Sequence, residues 1–208
     1  MKRITALGAI SLFAVLSSLH AQTSKLAING GGGVTLPVGD TGARLNTGWN
    51  ITLGAGYNFV PRLGVMGEFT YNRFDINQAT LNALSQPDGN LRLWAFTADP
   101  IVRLNPGGRL DFYVIGGGGI YHRVVEFTRP TVTTVTVFDP FFGFYNVFVP
   151  ANEVLSSFAT TKGGLNIGGG IAFRLGSSRV KVYTEARYHH MFTRTATTIL
   201  PVTFGLRW

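Results

Sequence analysis

The strongest constraint on the fold is the alternation of apolar and polar residues with a period of two, which is clearest at the C-terminus. In an extended chain, one face of residues 198–208 carries only large apolar side chains: Leu200, Val202, Phe204, Leu206 and Trp208. The opposite face is small or polar. A period of two predicts a β-strand. Because soluble proteins rarely leave such an apolar strand uncovered, the pattern favours a strand of a closed barrel.

The same alternation recurs along the chain and predicts eight strands. They are residues 25–36, 49–59, 64–76, 91–104, 109–128, 165–175, 179–193 and 198–208. Longer loops and tight turns alternate between them, and one helical turn is expected at 80–84 within the loop 77–90. An eight-stranded barrel with both termini at one end needs three short turns there and four connections, usually longer, at the other end. We therefore predict an all-β fold, an eight-stranded antiparallel up-and-down transmembrane β-barrel.

The composition favours a barrel in lipid over a soluble barrel. Hydrophobic residues make up 45% of the chain and charged residues only 13%, whereas soluble domains carry about 25% charged residues. Small or polar residues follow the predicted inner face, and aromatic residues lie near the ends of the outer face, as in interfacial girdles. A soluble eight-stranded barrel such as a lipocalin reverses this pattern, and it remains the alternative, with a role as a ligand carrier.

Residues 1–21 have the pattern of a secretory signal peptide. A basic start at Lys2 and Arg3 is followed by an apolar core and by the small residue Ala21, which is the three-part arrangement of an export signal. The apolar run is short for a membrane-spanning helix, which is the alternative. We predict a signal peptide at 1–21 and one barrel domain at 22–208. Because the chain has no cysteine, it has no disulfides or thiolate metal sites, and we expect no cofactor.

These features together resemble the small outer-membrane β-barrel family whose familiar members are the OmpA membrane domain and OmpX. The ending 201–208 is similar to the C-terminal signal that the barrel assembly machinery reads, although Trp208 stands where Phe is the commonest last residue. The resemblance implies the outer membrane of a Gram-negative (diderm) bacterium, with outer-membrane lipid and lipopolysaccharide as surroundings. It implies no activity, and no periplasmic second domain of the OmpA kind is expected.

Charged residues on the predicted inner face are the first candidate site. They are Glu68, Asp99, Arg103, Asp111, Arg123, Arg174, Lys181, Glu185, Arg187 and Arg207. We expect Glu68, Glu185 and Arg187 near mid-height and most of the others near the end that holds the termini. Buried charge is costly unless it is paired, so these residues form either a salt-bridged plug or the lining of a narrow ion pore. Eight strands leave room only for side chains, which favours the plug.

An enzymatic role is not expected. The motif around Glu185, His189 and His190 resembles that of lipid A deacylase barrels, which place a serine two residues after the catalytic histidine, but Met191 and Phe192 stand at those positions. The two histidines also point to opposite faces, so a metal pair is not expected. The glycine runs 30–33, 116–119 and 168–170 are followed by no helix and predict close backbone approach within strands, not a phosphate-binding loop.

The segment 129–157 is the most unusual connection. Alternating Thr and Val is followed by a cluster of aromatic residues: Phe138, Phe141, Phe142, Phe144, Tyr145 and Phe148. It could form a hairpin that extends the fifth and sixth strands above the membrane and presents a surface to an extracellular ligand or a host surface. Alternatively, the aromatic residues pack on each other or enter the outer leaflet.

Basic residues near the outward rim could contact lipopolysaccharide phosphates: Arg44, Arg73, Arg92, Arg123, Arg129, Lys162 and Arg194. No compact basic stripe suggests nucleic acid. The prediction is therefore a barrel that acts through its loops, in envelope integrity, adhesion or binding, with a narrow passive pore or a lipid-modifying enzyme as alternatives.

Overall fold

The chain forms a closed antiparallel barrel of eight strands, in which each strand pairs with its neighbours in sequence and β1 pairs with β8. A computed structural model describes residues 25–176, 178–193 and 196–208. The strands are β1 (Leu26–Pro37), β2 (Gly48–Val60), β3 (Leu63–Asp75), β4 (Asp88–Arg103), β5 (Leu110–Asp139), β6 (Gly143–Arg174), β7 (Lys181–Met191) and β8 (Thr197–Arg207). The predicted fold class is confirmed. The predicted signal peptide, residues 1–21, lies outside the described residues.

The C-terminal strand closes the barrel. The pairing of β1 with β8 runs from Asn29 opposite Arg207 to Pro37 opposite Ile199. Backbone hydrogen bonds between Ile28 and Trp208, of 3.2 and 2.9 Å, extend it to the last residue. Closure pairs the backbone groups of both terminal strands, and this removes the sheet edges that lipid could not satisfy.

The connections differ between the two ends of the barrel. At the end that holds the chain termini, here called the turn end, residues 61–62, 104–109 and 175–180 connect the strands. At the opposite end, the loop end, segments 38–47 and 76–87 carry a 3-10 helix (Gly39–Thr41) and a six-residue α1 (Gln78–Ala83). The Asn77 side chain caps α1 by accepting a hydrogen bond of 2.8 Å from the Thr80 amide. No helix among the described residues is long and apolar enough to span a membrane.

The predicted boundaries of the sixth strand are wrong. It begins at Gly143 and not at residue 165, because the Ser-, Ala- and Thr-rich residues before 165 continue the pairing with β5. A register shift at Phe127 and Thr128 marks the point where the two strands leave the barrel. The hypothesis of a protruding β5–β6 hairpin is therefore confirmed.

The outer face of the barrel is apolar, as the alternation predicts. Leu53, Phe96 and Ile167 are 59%, 65% and 63% exposed. Near the loop end, a row of rings crosses neighbouring strands, with centroid distances of 5.3 Å from Trp49 to Tyr71 and 6.2 Å from Tyr71 to Trp94. Such a row is typical of the aromatic girdle of a membrane barrel.

The barrel interior is more apolar than the alternation predicts. Toward the loop end, buried residues form the upper apolar cluster: Leu45, Phe74, Ile76, Leu81, Leu91, Leu93, Ala95, Tyr121, Met191 and Ile199. Toward the turn end, they form the lower apolar cluster: Ala27, Met66, Ile101, Tyr113, Ile115, Ala172 and Tyr183. The prediction of a polar inner face holds only for the layer between them. A narrow barrel must fill its axis with side chains, and large apolar ones fill it best.

Candidate functional site

Arg187 is the centre of the charged layer. Its side chain forms ion pairs with three carboxylates, those of Glu68, Asp99 and Glu185, and its Nη1 lies 2.9 Å from Asp99 Oδ2. The Arg187 residue is 3% exposed and the three acids between 0% and 6%. A guanidinium has five N–H donors, so one arginine can serve several carboxylates at once. Arg187 therefore offsets part of the negative charge of these three carboxylates.

Neutral side chains complete the hydrogen bonding of the acids. Asn29 Nδ2 donates to Glu68 Oε1 at 2.6 Å. Asp99 accepts from Thr97 Oγ1 at 2.6 Å and from Asn166 Nδ2 at 2.8 Å. The pattern of charged residues does not identify these three partners, although each lies at an inward position of its strand. Their inward-facing positions could have identified them, because a buried carboxylate requires hydrogen-bond donors at its own depth in the barrel.

Arg207 forms a second level of the layer, on the turn-end side. Its Nη2 lies 3.6 Å from Glu185 Oε2. Its guanidinium lies 4.5 Å from the ring centroid of Tyr113 and 4.9 Å from that of Tyr183. Cation–π contact of this kind stabilises a guanidinium in a site with few carboxylates. Arg207 thereby links the charged layer to the lower apolar cluster.

Four further predicted interior charges, Arg103, Asp111, Arg174 and Lys181, lie closer to the turn end, whereas Arg123 lies near the loop end. Lys181 Nζ lies 2.9 Å from Asp111 Oδ2. Arg103 and Arg174 are half-buried and form no ion pair with any described residue. The sequence predicts Asp99 in this turn-end group as well, and that prediction is wrong, because Asp99 contacts Arg187 in the charged layer. Strands in a barrel are tilted, and position along a strand is therefore a poor guide to depth along the axis.

Inward tyrosines lie against glycines of a neighbouring strand. A Cβ at Gly170 would be 2.4 Å from the Tyr113 hydroxyl, and a Cβ at Gly164 would be 2.8 Å from the ring of Tyr121. Within the run 116–119, a Cβ at Gly119 would be 2.0 Å from the Phe96 carbonyl oxygen. These distances explain why glycine recurs within strands, since a side chain at these positions would collide with a ring or with backbone.

The two histidines of β7 lie in different environments. His189 is 4% exposed, and its Nδ1 is 2.9 Å from the Tyr121 hydroxyl. His190 is half-buried on the outer side, where its Nδ1 is 3.2 Å from Thr198 Oγ1. No group of three metal-ligating side chains occurs within the described residues. The expected opposition of the two side chains is confirmed, and their hydrogen-bond partners in the described part of the chain are Tyr121 and Thr198, not a serine.

The β5–β6 hairpin projects beyond the barrel. The pairing of β4 with β5 ends at Asp88 and Thr128, whereas β5 and β6 continue through eleven further pairs, from Arg129–Glu153 to Asp139–Gly143. At about 3.3 Å per residue, this hairpin is about 36 Å long. Its end is a turn in which Asp139 Oδ1 accepts hydrogen bonds from the Phe141 and Phe142 amides at 2.7 and 3.1 Å.

Both faces of the hairpin are apolar and exposed. One face carries Phe138, Phe144 and Phe148, and the first two rings pack with centroids 5.0 Å apart. The other face carries Val135, Val137, Tyr145 and Val147. The side chains at the tip are the most exposed, with Phe141 at 91% and Phe142 at 84%. Residues 129–153 contain only three charged residues, namely Arg129, Asp139 and Glu153.

In β8, the apolar series of the sequence analysis faces outward. Phe204, Leu206 and Trp208 are exposed, Leu200 and Val202 are half-buried, and the intervening Thr203 and Arg207 are buried. This places the large side chains where a bilayer would surround them.

The closed eight-stranded barrel and its apolar belt agree with a comparison with known families. The profile of the family described as "Outer membrane protein beta-barrel domain" matches residues 9–207. The chain belongs to this family. It is accordingly a protein of the Gram-negative outer membrane, surrounded by outer-membrane lipid and lipopolysaccharide. No curated protein sequence matches the chain.

Several solved structures of small outer-membrane proteins are similar in fold to this chain. Neisserial surface protein A (NspA) is 14% identical with a TM-score of 0.57, over 88% of this chain and 95% of that chain. A major outer membrane protein from Thermus thermophilus is 10% identical with a TM-score of 0.53, over 90% and 99%. Ail, the attachment invasion locus protein of Yersinia pestis, in complex with the heparin analogue sucrose octasulfate, is 17% identical with a TM-score of 0.50, over 89% and 100%.

Proposed function

We propose that this outer-membrane barrel is a non-enzymatic binding protein with a plugged interior, and that its β5–β6 hairpin attaches to an extracellular partner or a host surface. The observation that carries the proposal is the uncovered aromatic end of the hairpin, where Phe141 and Phe142 are 91% and 84% exposed. Large exposed apolar patches are typical of surfaces that bind another protein, a ligand or a membrane.

The geometry of the hairpin supports binding. An isolated two-stranded hairpin is only marginally stable in water, and this one exposes apolar side chains on both faces. Its two arms carry few charges, and a partner would therefore desolvate few charged groups. Aromatic side chains contribute large contact area at low conformational cost, which is why they dominate binding hot spots.

The interior supports a plug and not a pore. Among the described residues, the charged layer between the two apolar clusters encloses a cavity of only about 10 Å³, beside Arg187 and His189. That volume is about the size that a single water needs. Conduction through such an interior would require the Arg187 ion pairs to open.

Attachment is one of several roles that small outer-membrane barrels hold. Ail is by its name an attachment protein, and its structure was solved with a heparin analogue. The resemblance is one of fold, and the proposal here rests on the hairpin of this chain.

Cell adhesion tests the proposal. Escherichia coli displaying the full chain is compared with cells displaying F141S/F142S/F144S/F148S, on epithelial monolayers. Loss of several aromatic contacts is expected to lower adhesion at least about tenfold, since single aromatic hot spots contribute about 2 kcal/mol or more. A matched control, T131S/T133S/T134S/T136S, changes the same number of hairpin residues and should adhere like the unmodified protein. Equal adhesion of the aromatic variant would refute the proposal.

Insertion of the hairpin tip into the outer leaflet is the competing interpretation. Because the chain has no cysteine, Phe141→Cys can be labelled uniquely with bimane. In vesicles containing brominated phosphatidylcholine, a hairpin in water should show no lipid-dependent quenching. Strong quenching would place the tip in the bilayer and contradict a role in binding a partner outside it.

The C-terminal strand has a proposed role in assembly. We propose that the outward series of β8, ending at Trp208, is what the barrel assembly machinery recognises during insertion. Its support is the position of Phe204, Leu206 and Trp208 on the lipid side of the strand that closes the barrel.

A further inference from the structure

A cavity of about 220 Å³ lies at the loop end of the barrel. The 3-10 helix, the C-terminal end of α1, β4, β5 and the residues leading into β8 form its walls. It is separate from the β5–β6 hairpin beyond Thr128 and from the charged layer around Arg187. Neither the proposed plug nor the proposed attachment of the hairpin uses it.

The floor of this cavity is hydrocarbon. Leu45, Ile76 and Leu91 line it and belong to the upper apolar cluster. Val125 and Phe127 of β5 line it as well and pack against that cluster. A pocket that is apolar and preformed favours an apolar group in place of water.

Two arginines line the same cavity without carboxylate partners. Arg123 Nη1 donates a hydrogen bond of 2.8 Å to Thr197 Oγ1, and its Nε is buried with no hydrogen-bond partner. Neither Arg123 nor Arg44 forms an ion pair with a described residue. Asp40 is the one acid among the lining residues of the cavity, and it forms no ion pair with either arginine.

The nearby Arg92, unlike Arg44 and Arg123, has a carboxylate partner. It lies on β4 and forms an ion pair with Glu126 of the neighbouring strand. Arg123 is half-buried against the apolar wall, so its guanidinium has lost part of its hydration without gaining a counter-charge, whereas Arg44 is exposed. An anionic group that reached Arg44 and Arg123 would supply that counter-charge.

We propose that the loop-end cavity binds a small amphipathic monocarboxylate, with its hydrocarbon part on the upper apolar cluster and its carboxylate at Arg44 and Arg123. Arginine is well suited to carboxylates because its planar N–H groups can form two parallel hydrogen bonds. A cavity of about 220 Å³ lies below the usual range for drug-sized ligands, about 300–1,000 Å³. The site therefore takes one short chain and excludes the several acyl chains of a lipopolysaccharide.

Methyl NMR of the full-length barrel in phosphatidylcholine nanodiscs, titrated with octanoate, tests this site. Methyl signals of Leu45, Ile76 and Leu91 are expected to shift and saturate. Methyl groups of the lipid-facing Leu53, Ile120 and Ile167 report simple partition of octanoate into the bilayer and should shift little and without saturation.

Arginine variants and an uncharged ligand distinguish the contribution of the carboxylate from that of the hydrocarbon chain. Arg123→Gln and Arg44→Gln are each expected to weaken octanoate binding about tenfold, which is the scale of one charge-assisted hydrogen bond. Octanamide, which lacks the negative charge, should bind the unmodified protein about tenfold more weakly than octanoate does. Arg62→Gln, in the turn between β2 and β3 at the opposite end, is the matched control and should bind octanoate normally.

Two results would overturn the proposal. One is shifts of equal size in the cavity and lipid-facing methyl groups. The other is an octanoate affinity that Arg44→Gln, Arg123→Gln and the amide ligand leave unchanged. Heat-modifiable gel migration of each variant verifies that the barrel is folded, and either arginine variant alone is sufficient for the comparison.

Discussion

Among single residues, the most important feature of the barrel interior is that several acidic side chains share one guanidinium. Arg187 serves three acids at once, and Asn29, Thr97 and Asn166 supply the other donors that those acids need. The charged layer lies between two apolar clusters, where water is scarce. Electrostatic interactions are stronger there than in water, and an unpaired group costs more.

Glu68→Ala is expected to destabilise the barrel and to leave its conductance low. The change removes one carboxylate from Arg187 and leaves the Asn29 amide without its acceptor. We expect a loss of about 3 kcal/mol in the free energy of unfolding, at the lower end for a buried ion pair that loses one partner. Urea unfolding in lipid vesicles measures the loss.

Glu153→Ala is the control for this variant. It breaks the Arg129–Glu153 ion pair, whose side chains are 58% and 52% exposed, and we expect a change below about 1 kcal/mol. Planar-bilayer recordings complete the test of Glu68→Ala. A large rise in conductance with unchanged stability would show that the charged layer gates a pore.

At the scale of the elements, the β5–β6 hairpin is independent of the barrel wall. Beyond Thr128, β5 pairs with no strand of the described residues other than β6, and the register shift at Phe127 and Thr128 falls at this boundary. Bulges of this kind bend a strand and often end its pairing with one neighbour. The hairpin therefore extends from the barrel without supporting it.

Replacement of residues 130–152 by Asn-Gly is expected to leave the stability of the barrel unchanged within about 0.5 kcal/mol, the usual range for surface changes. The Asn-Gly pair forms a two-residue hairpin turn and keeps the pairing of Arg129 with Glu153. The midpoint of heat-modifiable migration measures the effect.

A longer excision, of residues 124–158, is the comparison. It removes part of the segment that pairs with β4 and should destabilise the barrel, because β4 then loses hydrogen-bond partners within the sheet. If the shorter excision were equally damaging, the hairpin would have to support the barrel wall, contrary to the pairing described above.

For the barrel as a whole, closure of the sheet and the apolar outer surface are both needed for a stable position in the membrane. The pairing of β1 with β8 satisfies the last backbone groups of the sheet, and the outward side chains of all eight strands meet lipid. A defect in the final strand therefore affects closure and the lipid-facing surface at once.

Phe204→Arg is expected to lower the yield of assembled barrel. Phe204 is 58% exposed on the outer face, and it pairs with Gly32 of β1 and Thr184 of β7. An arginine on the lipid face costs about 2–4 kcal/mol near the membrane midplane. The folded fraction in outer-membrane preparations, read by heat-modifiable migration, measures the effect.

Phe141→Arg provides the matched control, since the same substitution at the hairpin tip lies outside the strands that span the bilayer. It should assemble like the unmodified chain. Equal assembly of both variants would argue against a lipid-facing Phe204 and against recognition of the outward series of β8 during insertion.

The number of strands, their inward and outward phase, the order of turns and loops and the outer-membrane location can all be predicted from the sequence alone. This is possible because a period of two is a local property, and the outward series of β8 shows it without knowledge of any other strand. The aromatic end of the hairpin was also readable, because its composition is local to residues 138–148.

The contacts between side chains inside the barrel, in contrast, become apparent only in the folded molecule. Asp99 lies with Arg187 and not at the turn end, and leucines and tyrosines occupy much of an interior that the alternation predicted to be polar. The loop-end cavity between Arg44 and Arg123 likewise arises from segments far apart in sequence. The depth of a residue along the barrel axis depends on strand tilt and register, which are set by the closure of the whole sheet. The sequence of a single strand therefore does not predict this depth.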